Sequence, residues 1–299
     1  MQANGVGSGA HGMKTDYWVE RDWNRYVADS DWNGSVFFVH GLQDWNVKPD
    51  HILPWLDELP EQIRVKGWLH QDTEDGTGHV YPMRADWNQT MLRWLEHTGK
   101  GKATGVDWGF EVEGDDGVWR ASDDWPPKDA EHVEGHINEL VASYSDTGTV
   151  QVEGPVDLPG QAPYRYAGQP TVTVEAEVQG NPDPVFTAVL YEETPDGERE
   201  WVNEGVVRGI YREGLTDAQP VPQNEHLEIE IPLYPQDDVL EPGHRWIVVF
   251  GDDPRHAQPA PGQMHGIAYT DHGGHVDMPL APMDTTVDEQ PEQIGCFAC

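Results

Sequence analysis

A chain of 299 residues has room for roughly two domains, each able to bury a core of its own. Its 18 basic residues face 54 acidic ones, a net charge of −36 that argues against nucleic acid as a partner, since a phosphate backbone would be repelled. Disorder is excluded as well, because 13 tryptophans and clear apolar periodicity accompany the charge.

Self-repulsion on this scale destabilises a compact state in dilute buffer. It becomes tolerable in salt, where the Debye length shrinks to ~3 Å at 1 M. Lysine is scarce, six against twelve arginines, and the expectation is a salt-rich cytoplasm and a halophilic source. No early stretch resembles a signal peptide, and runs such as FFV and WIVVF fall far short of the ~20 residues of a membrane span. A cytoplasmic protein without a membrane partner is therefore expected.

Taken in chain order, residues 17–27 read as a short amphipathic helix and 35–41, SVFFVHG, as a buried strand that stops at a glycine. Residues 49–59 read as a helix with Pro49 in its first turn, and 63–70, IRVKGWLH, as a second strand. A longer helix follows over 84–97, with Trp87, Met91, Leu92, Trp94 and Leu95 along one broad face. Strand, helix, strand, helix makes one right-handed parallel unit. From about residue 105 short alternating strands take over, clearest over 171–178, 185–191, 226–233 and 246–250, with turns at GNPDP and TPDGE. The expected fold class is thus α/β plus all-β. A carboxyl-terminal portion of an α/β-hydrolase domain (1–103) is followed by a β-sandwich of jelly-roll type (104–283), and a disordered acidic tail is expected over 284–299.

The first strand delivers one carboxylate, Asp44, to its carboxyl end. After the second strand a glycine-rich loop carries His79. Acid at one strand tip and histidine in the loop after the next are the last two members of the Ser, Asp, His chain order of α/β-hydrolases. The nucleophile is missing from the pattern. Of six serines, Ser8, Ser30, Ser35, Ser122, Ser143 and Ser145, none has glycine two residues before and two after, and Ser8 follows no apolar strand.

HGLQDWNVKP from His40, WLHQ from Trp68, GHVYP from Gly78 and RADWNQTMLRWLEH from Arg84 resemble the X-Pro dipeptidyl-peptidase family of serine hydrolases, whose wider relatives include cocaine esterase and the α-amino-acid ester hydrolases. DYWVERDW from Asp16, WRASDDWPP from Trp119 and EPGHRW from Glu241 fit the same family. The resemblance implies Asp44 as triad acid, His79 as triad base, and Trp45 and Asn46 lining or bracing the pocket, with core packing an equal alternative for those two. It implies no cofactor and no metal. The substrate it implies is a peptide or small acyl compound, cleaved after an N-terminal X-Pro dipeptide or at a related amide or ester. The nucleophile would then come from a separately encoded polypeptide, unless the chain is an inactive remnant or a homo-oligomer.

Other features have plainer readings. D-W-N recurs at Asp22, Asp31, Asp44 and Asp86 without a fixed period, so no repeat architecture is expected. His70 competes with His79 as base but reads more simply as a buried strand-end residue. His265, Asp271, His272, His275 and Asp277 have the composition of metal ligands without their spacing, and are expected in loops between strands. Cys296 and Cys299 form a lone CxxC on the tail with no second pair for zinc. A non-catalytic module, whose sandwich presents aromatic residues to a carbohydrate or protein, stays open as the alternative, although eight of the 13 tryptophans lie in the first hundred residues.

Overall fold

The computed structural model describes residues 14–45, 47–51, 53–71, 82–144, 150–251, 255 and 266–296. Two short helices, α1 (Asp16–Val19) and α2 (Trp23–Ala28), replace the single helix expected over 17–27. The break falls at Asp22, whose carboxylate caps α2 by accepting the Asn24 N–H. Strand β1 (Ser35–Gly41) forms as expected. A 3₁₀ turn (Pro49–His51) and a short helix α3 (Leu53–Asp57) then stand where one helix over 49–59 was expected.

Strands β2 (Arg64–His70) and β3 (Pro82–Arg84) precede helix α4 (Trp87–Lys100). The helix starts three residues later than its apolar pattern suggests, because Arg84 belongs to a strand and its guanidinium holds the Asp86 carboxylate at the helix entrance. It ends where Gly101 turns left-handed at φ 63° and the Gly101 and Lys102 N–H groups donate to the His97 and Glu96 carbonyls.

Strands β4 (Gly109–Glu113) and β5 (Trp119–Ser122) complete a four-stranded sheet of order β1-β2-β4-β5. The first three strands are parallel and β5 is antiparallel. The sheet therefore runs past the expected boundary at residue 103. Its two faces are covered by different helices. Phe37 packs edge-on to Trp68 and against Trp87 and Trp94 of α4, while Phe38 stacks on Trp55 of α3. Gly67 is required at this position, since a Cβ there would lie 2.1 Å from the Phe110 ring.

The rest is almost entirely β. Strands β6 (Glu131–Ile137), β7 (Val141–Tyr144), β8 (Val150–Pro155), β9 (Tyr164–Gly168) and β10 (Thr171–Val178) are followed by β11 (Val185–Glu193) and β12 (Arg199–Arg208). Then come β13 (His226–Pro232), β14 (Gln236–Leu240), β15 (Arg245–Phe250), β16 (Ile267–Leu280) and β17 (Gln293–Cys296). They form one sheet of order β13-β10-β16-β9-β14, with β6 also on β16, and a second of order β12-β11-β15-β8-β7. Alternate residues of facing strands make the shared core: Val172, Val174 and Ala176 of β10 meet Phe186, Ala188 and Leu190 of β11 and Trp246, Val248 and Phe250 of β15.

Two further expectations are corrected. His275 and Asp277 lie inside β16 rather than in a loop; Asp277 contacts the His132 ring at 2.8 Å. The acidic stretch expected to be disordered from residue 284 is instead tied to β5. Thr285 accepts the Ala121 N–H, Gln290 brackets the Trp119 backbone through two hydrogen bonds, and β17 pairs with β3. The Thr285 carbonyl, the Gln290 side-chain amide and the β17 backbone supply these bonds, none of them a charged group, so the tail's acidic composition does not keep it off the sheet. Cys299 lies outside the described residues.

Candidate functional site

The ends of β1 and β2 are stitched together just where the parallel strands stop. Leu42, wholly buried, donates its N–H to the His70 carbonyl at 2.7 Å, and the chain then turns back so that the Asp44 N–H reaches the Gly41 carbonyl. This turn carries Asp44 into the interior at 2% exposure. Its Oδ1 accepts the Val47 N–H at 2.7 Å, a bond that fixes the orientation of the carboxyl group. His70 closes β2 beside it, opposite Gly41 in the strand register and 4% exposed. His79 and Asn46 lie outside the described residues, so the expected pairing of Asp44 with His79 is not on view.

The sandwich clamps the acid-bearing turn. Trp45 packs edge-on to Trp201 of β12 with ring centroids 5.4 Å apart, and against Tyr234, also at 5.4 Å. Lys48 donates to the Tyr234 hydroxyl at 2.5 Å and lies 4.5 Å from the centre of that ring. Burial lowers the Lys48 pKa, with Asp50 and Glu204 acting the other way, and burial raises that of the Tyr234 phenol. Glu204, fully buried beside this cluster, accepts the Arg255 N–H at 2.7 Å. Of this group only Trp45 was anticipated; Lys48 stood in the same HGLQDWNVKP motif, but nothing local marks Trp201, Glu204 or Tyr234 as its neighbours.

A second seam lies one strand further on. The turn between β4 and β5 reaches into β14, where Asp115 accepts the Val239 N–H and gives its own N–H to the Asp237 carbonyl. Arg165 grips Asp237 through two bonds of 2.8 and 2.6 Å, and the Gln71 side chain accepts the Asp237 N–H. The sandwich thus positions the carboxyl ends of β1, β2 and β4 together.

None of the described serines stands at that edge. Ser35 bonds Thr98 at the amino end of β1, about 20 Å along the strand from Gly41 at ~3.3 Å per residue. Ser122 pairs with Phe110 near the start of β4, Ser30 precedes β1, and Ser143 belongs to β7. Ser8 and Ser145 lie outside the described residues. A cavity of 610 Å³ is lined by Lys66, Trp108, Phe110, Glu111 and Arg165, and Asp44 is not part of its lining. Among the described residues no group of three or more His, Cys, Asp and Glu side chains is arranged to hold a metal.

Comparison with known proteins agrees with this division. The family model of the X-Pro dipeptidyl-peptidase (S15 family) matches residues 7–74, and that of the X-Pro dipeptidyl-peptidase C-terminal non-catalytic domain matches residues 161–268. A putative Xaa-Pro dipeptidyl-peptidase of Streptomyces avermitilis is 28% identical over 235 residues, 64% of this chain and 32% of that protein. One of Bacillus cereus is 34% identical over 119 residues, covering 38% of this chain and 19% of its own length. The chain therefore spans a third or less of these relatives. Among solved structures, an aminopeptidase from a marine-sediment Thaumarchaeota archaeon superposes with a TM-score of 0.63 at 17% identity, over 90% of this chain and 58% of the other. A CocE/NonD family hydrolase from Staphylococcus aureus gives 0.66 at 13% identity, over 91% and 58%. An α-amino acid ester hydrolase gives 0.63 at 14% identity, over 91% and 59%. An acid on the turn after the first parallel strand and a sandwich packed on the carboxyl edge of the sheet thus fall within the segments of two family models, and the chain belongs to the X-Pro dipeptidyl-peptidase family.

Proposed function

We propose that this chain supplies the acid and base of a serine hydrolase that releases N-terminal X-Pro dipeptides or cleaves related amides and esters. The sandwich, a jelly roll in this reading, serves as the brace that holds the acid turn. The observation that carries the reading is Asp44, a carboxylate buried at the carboxyl end of a parallel strand and oriented by the Val47 amide. In acyl transfer such a carboxylate holds the histidine in the productive tautomer and stabilises its charged form while the histidine takes the proton of the attacking hydroxyl. His79, between β2 and β3 in the sequence, is the histidine assigned to that role. The hydroxyl comes from an α/β unit that completes the sheet, since no described serine reaches the site. The setting is a salt-rich cytoplasm, which the net charge of −36 favours.

Reaction with a fluorophosphonate probe in ~2 M salt, where exposed charges are screened, tests the division of labour. The chain alone is expected to stay unlabelled. Labelling that vanishes in Ser8→Ala would place the nucleophile within this chain and overturn the proposal of an external hydroxyl.

A further inference from the structure

We infer that the cavity between the parallel sheet and the sandwich is a second binding site, which takes a small zwitterion with an apolar body, an amino acid or short peptide with free termini. The carboxylate of that ligand meets Lys66 and its ammonium meets the aspartates at the mouth. The inference stands on the lining itself and rests on the hydrolase reading only for its probe, Ala-Pro, a dipeptide that reading would release. Lys66 of β2, Phe110 and Glu111 of β4 and Arg165 of β9 border a space of 610 Å³, a volume typical of small-ligand pockets. Neither Asp44 nor any other residue from 42 to 48 belongs to the lining, so the site is separate from the acid turn.

On a chain with 54 acidic residues carboxylates are expected everywhere, so the cations carry the information. The sequence has six lysines, and two of them, Lys66 and Lys128, line this one cavity. Lys128 is exposed and pairs with Asp124 at 2.9 Å. Arg165 is already committed, its guanidinium donating to Asp237 and to the Pro282 carbonyl. Lys66 differs. It is 2% exposed, and among the described residues its ammonium meets one partner, Glu111 Oε1 at 3.2 Å. Glu111 is itself divided, because its other oxygen takes Arg84. A lysine ammonium carries three donors, and a donor left unmet away from water is costly. Burial accordingly lowers the Lys66 pKa against the opposing pull of Glu111. A ligand carboxylate supplies the missing acceptor at a depth where salt screens little.

The walls and the mouth select the rest of the ligand. Phe110 and Pro127 are buried apolar walls. Trp108 is held in place by the Arg64 guanidinium, 4.0 Å from the ring centre, and by the His97 ring packed edge-on, so a flat apolar body finds a prepared surface. Asp123 and Asp129 are the exposed acids of the lining that have no ion-pair partner among the described residues. They repel a second negative charge and attract an ammonium. Cation at depth, apolar middle and anion at the mouth are the complement of a zwitterion, whereas a dianion would be repelled at the entrance.

The test is a calorimetric titration of the full chain with Ala-Pro in ~2 M KCl, where exposed charges are screened. Saturable binding with a Kd of about 1 mM or tighter is expected. Removing either charge from the probe, as Ala-Pro amide or as N-acetyl-Ala-Pro, should weaken binding at least tenfold. Lys66→Met should weaken Ala-Pro by a similar factor and leave the amide unaffected. If Lys66→Met does not fold, the double variant Asp123→Asn and Asp129→Asn, confined to exposed side chains, should weaken Ala-Pro at least fivefold and leave N-acetyl-Ala-Pro unaffected. Absence of saturable binding, equal binding of the amide, or an affinity indifferent to the variants would overturn the inference. So would acetate bound as tightly as Ala-Pro, since the cavity would then be a general anion pocket. Asp44→Asn should bind Ala-Pro as the wild type does; loss of binding there would place the peptide at the acid turn and overturn the inference as well. Failure on any of these counts leaves the hydrolase reading standing, because that reading is decided by turnover and not by this titration.

Discussion

Asp44 is a carboxylate with almost no solvent access, and the Val47 N–H compensates part of its lost hydration while aiming it. Its place was legible because every cue is local: an apolar strand, a glycine stop and one acid. Its bracing was not. Tyr234, which receives the Lys48 hydrogen bond, stands 186 positions further along, and no short-range pattern announces such a contact. Tyr234→Phe removes that acceptor and is expected to cost about 1 kcal/mol of stability, the usual net worth of one hydrogen bond, measured by chemical denaturation. Trp45→Ala should cost more, about 3 kcal/mol, because the ring fills the space between Trp201 and Tyr234. A loss below about 0.5 kcal/mol, no more than an ordinary surface substitution, would show that the indole does not brace the turn.

At the scale of elements, the sheets were legible where apolar residues alternate or run together and illegible where polar residues are buried. Strand β14 reads QDDVL, which suggests a polar turn, yet all five residues are buried. Only tertiary partners make this possible: Arg165 neutralises Asp237, Gln71 accepts its N–H, and the turn between β4 and β5 caps the strand from outside. Arg165→Met strands a fully buried carboxylate and is expected to cost about 3–5 kcal/mol, read as a lower denaturant midpoint. Addition of Asp237→Asn should recover much of that loss; without recovery, the guanidinium would be acting through packing alone. The tail taught the opposite lesson, since acidity and proline suggested disorder although backbone bonds to Trp119 and Ala121 fix it to β5.

For the whole molecule, charge dictates two responses. With a net charge of −36, the unfolding midpoint should climb steeply as salt rises to molar levels, and a flat response would remove the halophilic reading. The pH response carries a sign set at the seam. Burial, reinforced by Asp116 and Asp237 against the opposing Val239 N–H, pushes the Asp115 carboxyl up to about 7. A carboxyl raised above its unfolded value of ~3.9 binds its proton more tightly when folded. Its stabilisation is therefore complete below pH ~4 and lost as pH rises through about 7. Melting temperature at fixed molar salt should fall between pH 5 and pH 8, and Asp115→Asn should flatten that fall; an unchanged slope in the variant would assign the pH dependence to other groups.

The most direct measurement is the turnover of an X-Pro-p-nitroanilide by this chain combined with a nucleophile-bearing α/β unit, compared between wild type and Asp44→Asn at equal complex concentration. Turnover is expected to fall about 10⁴-fold, the size seen when a triad aspartate becomes asparagine in a serine protease. His79→Ala should be comparably severe and His70→Ala close to wild type in the folded fraction. Turnover in Asp44→Asn within tenfold of wild type, or a collapse in His70→Ala that His79→Ala does not share, would contradict it.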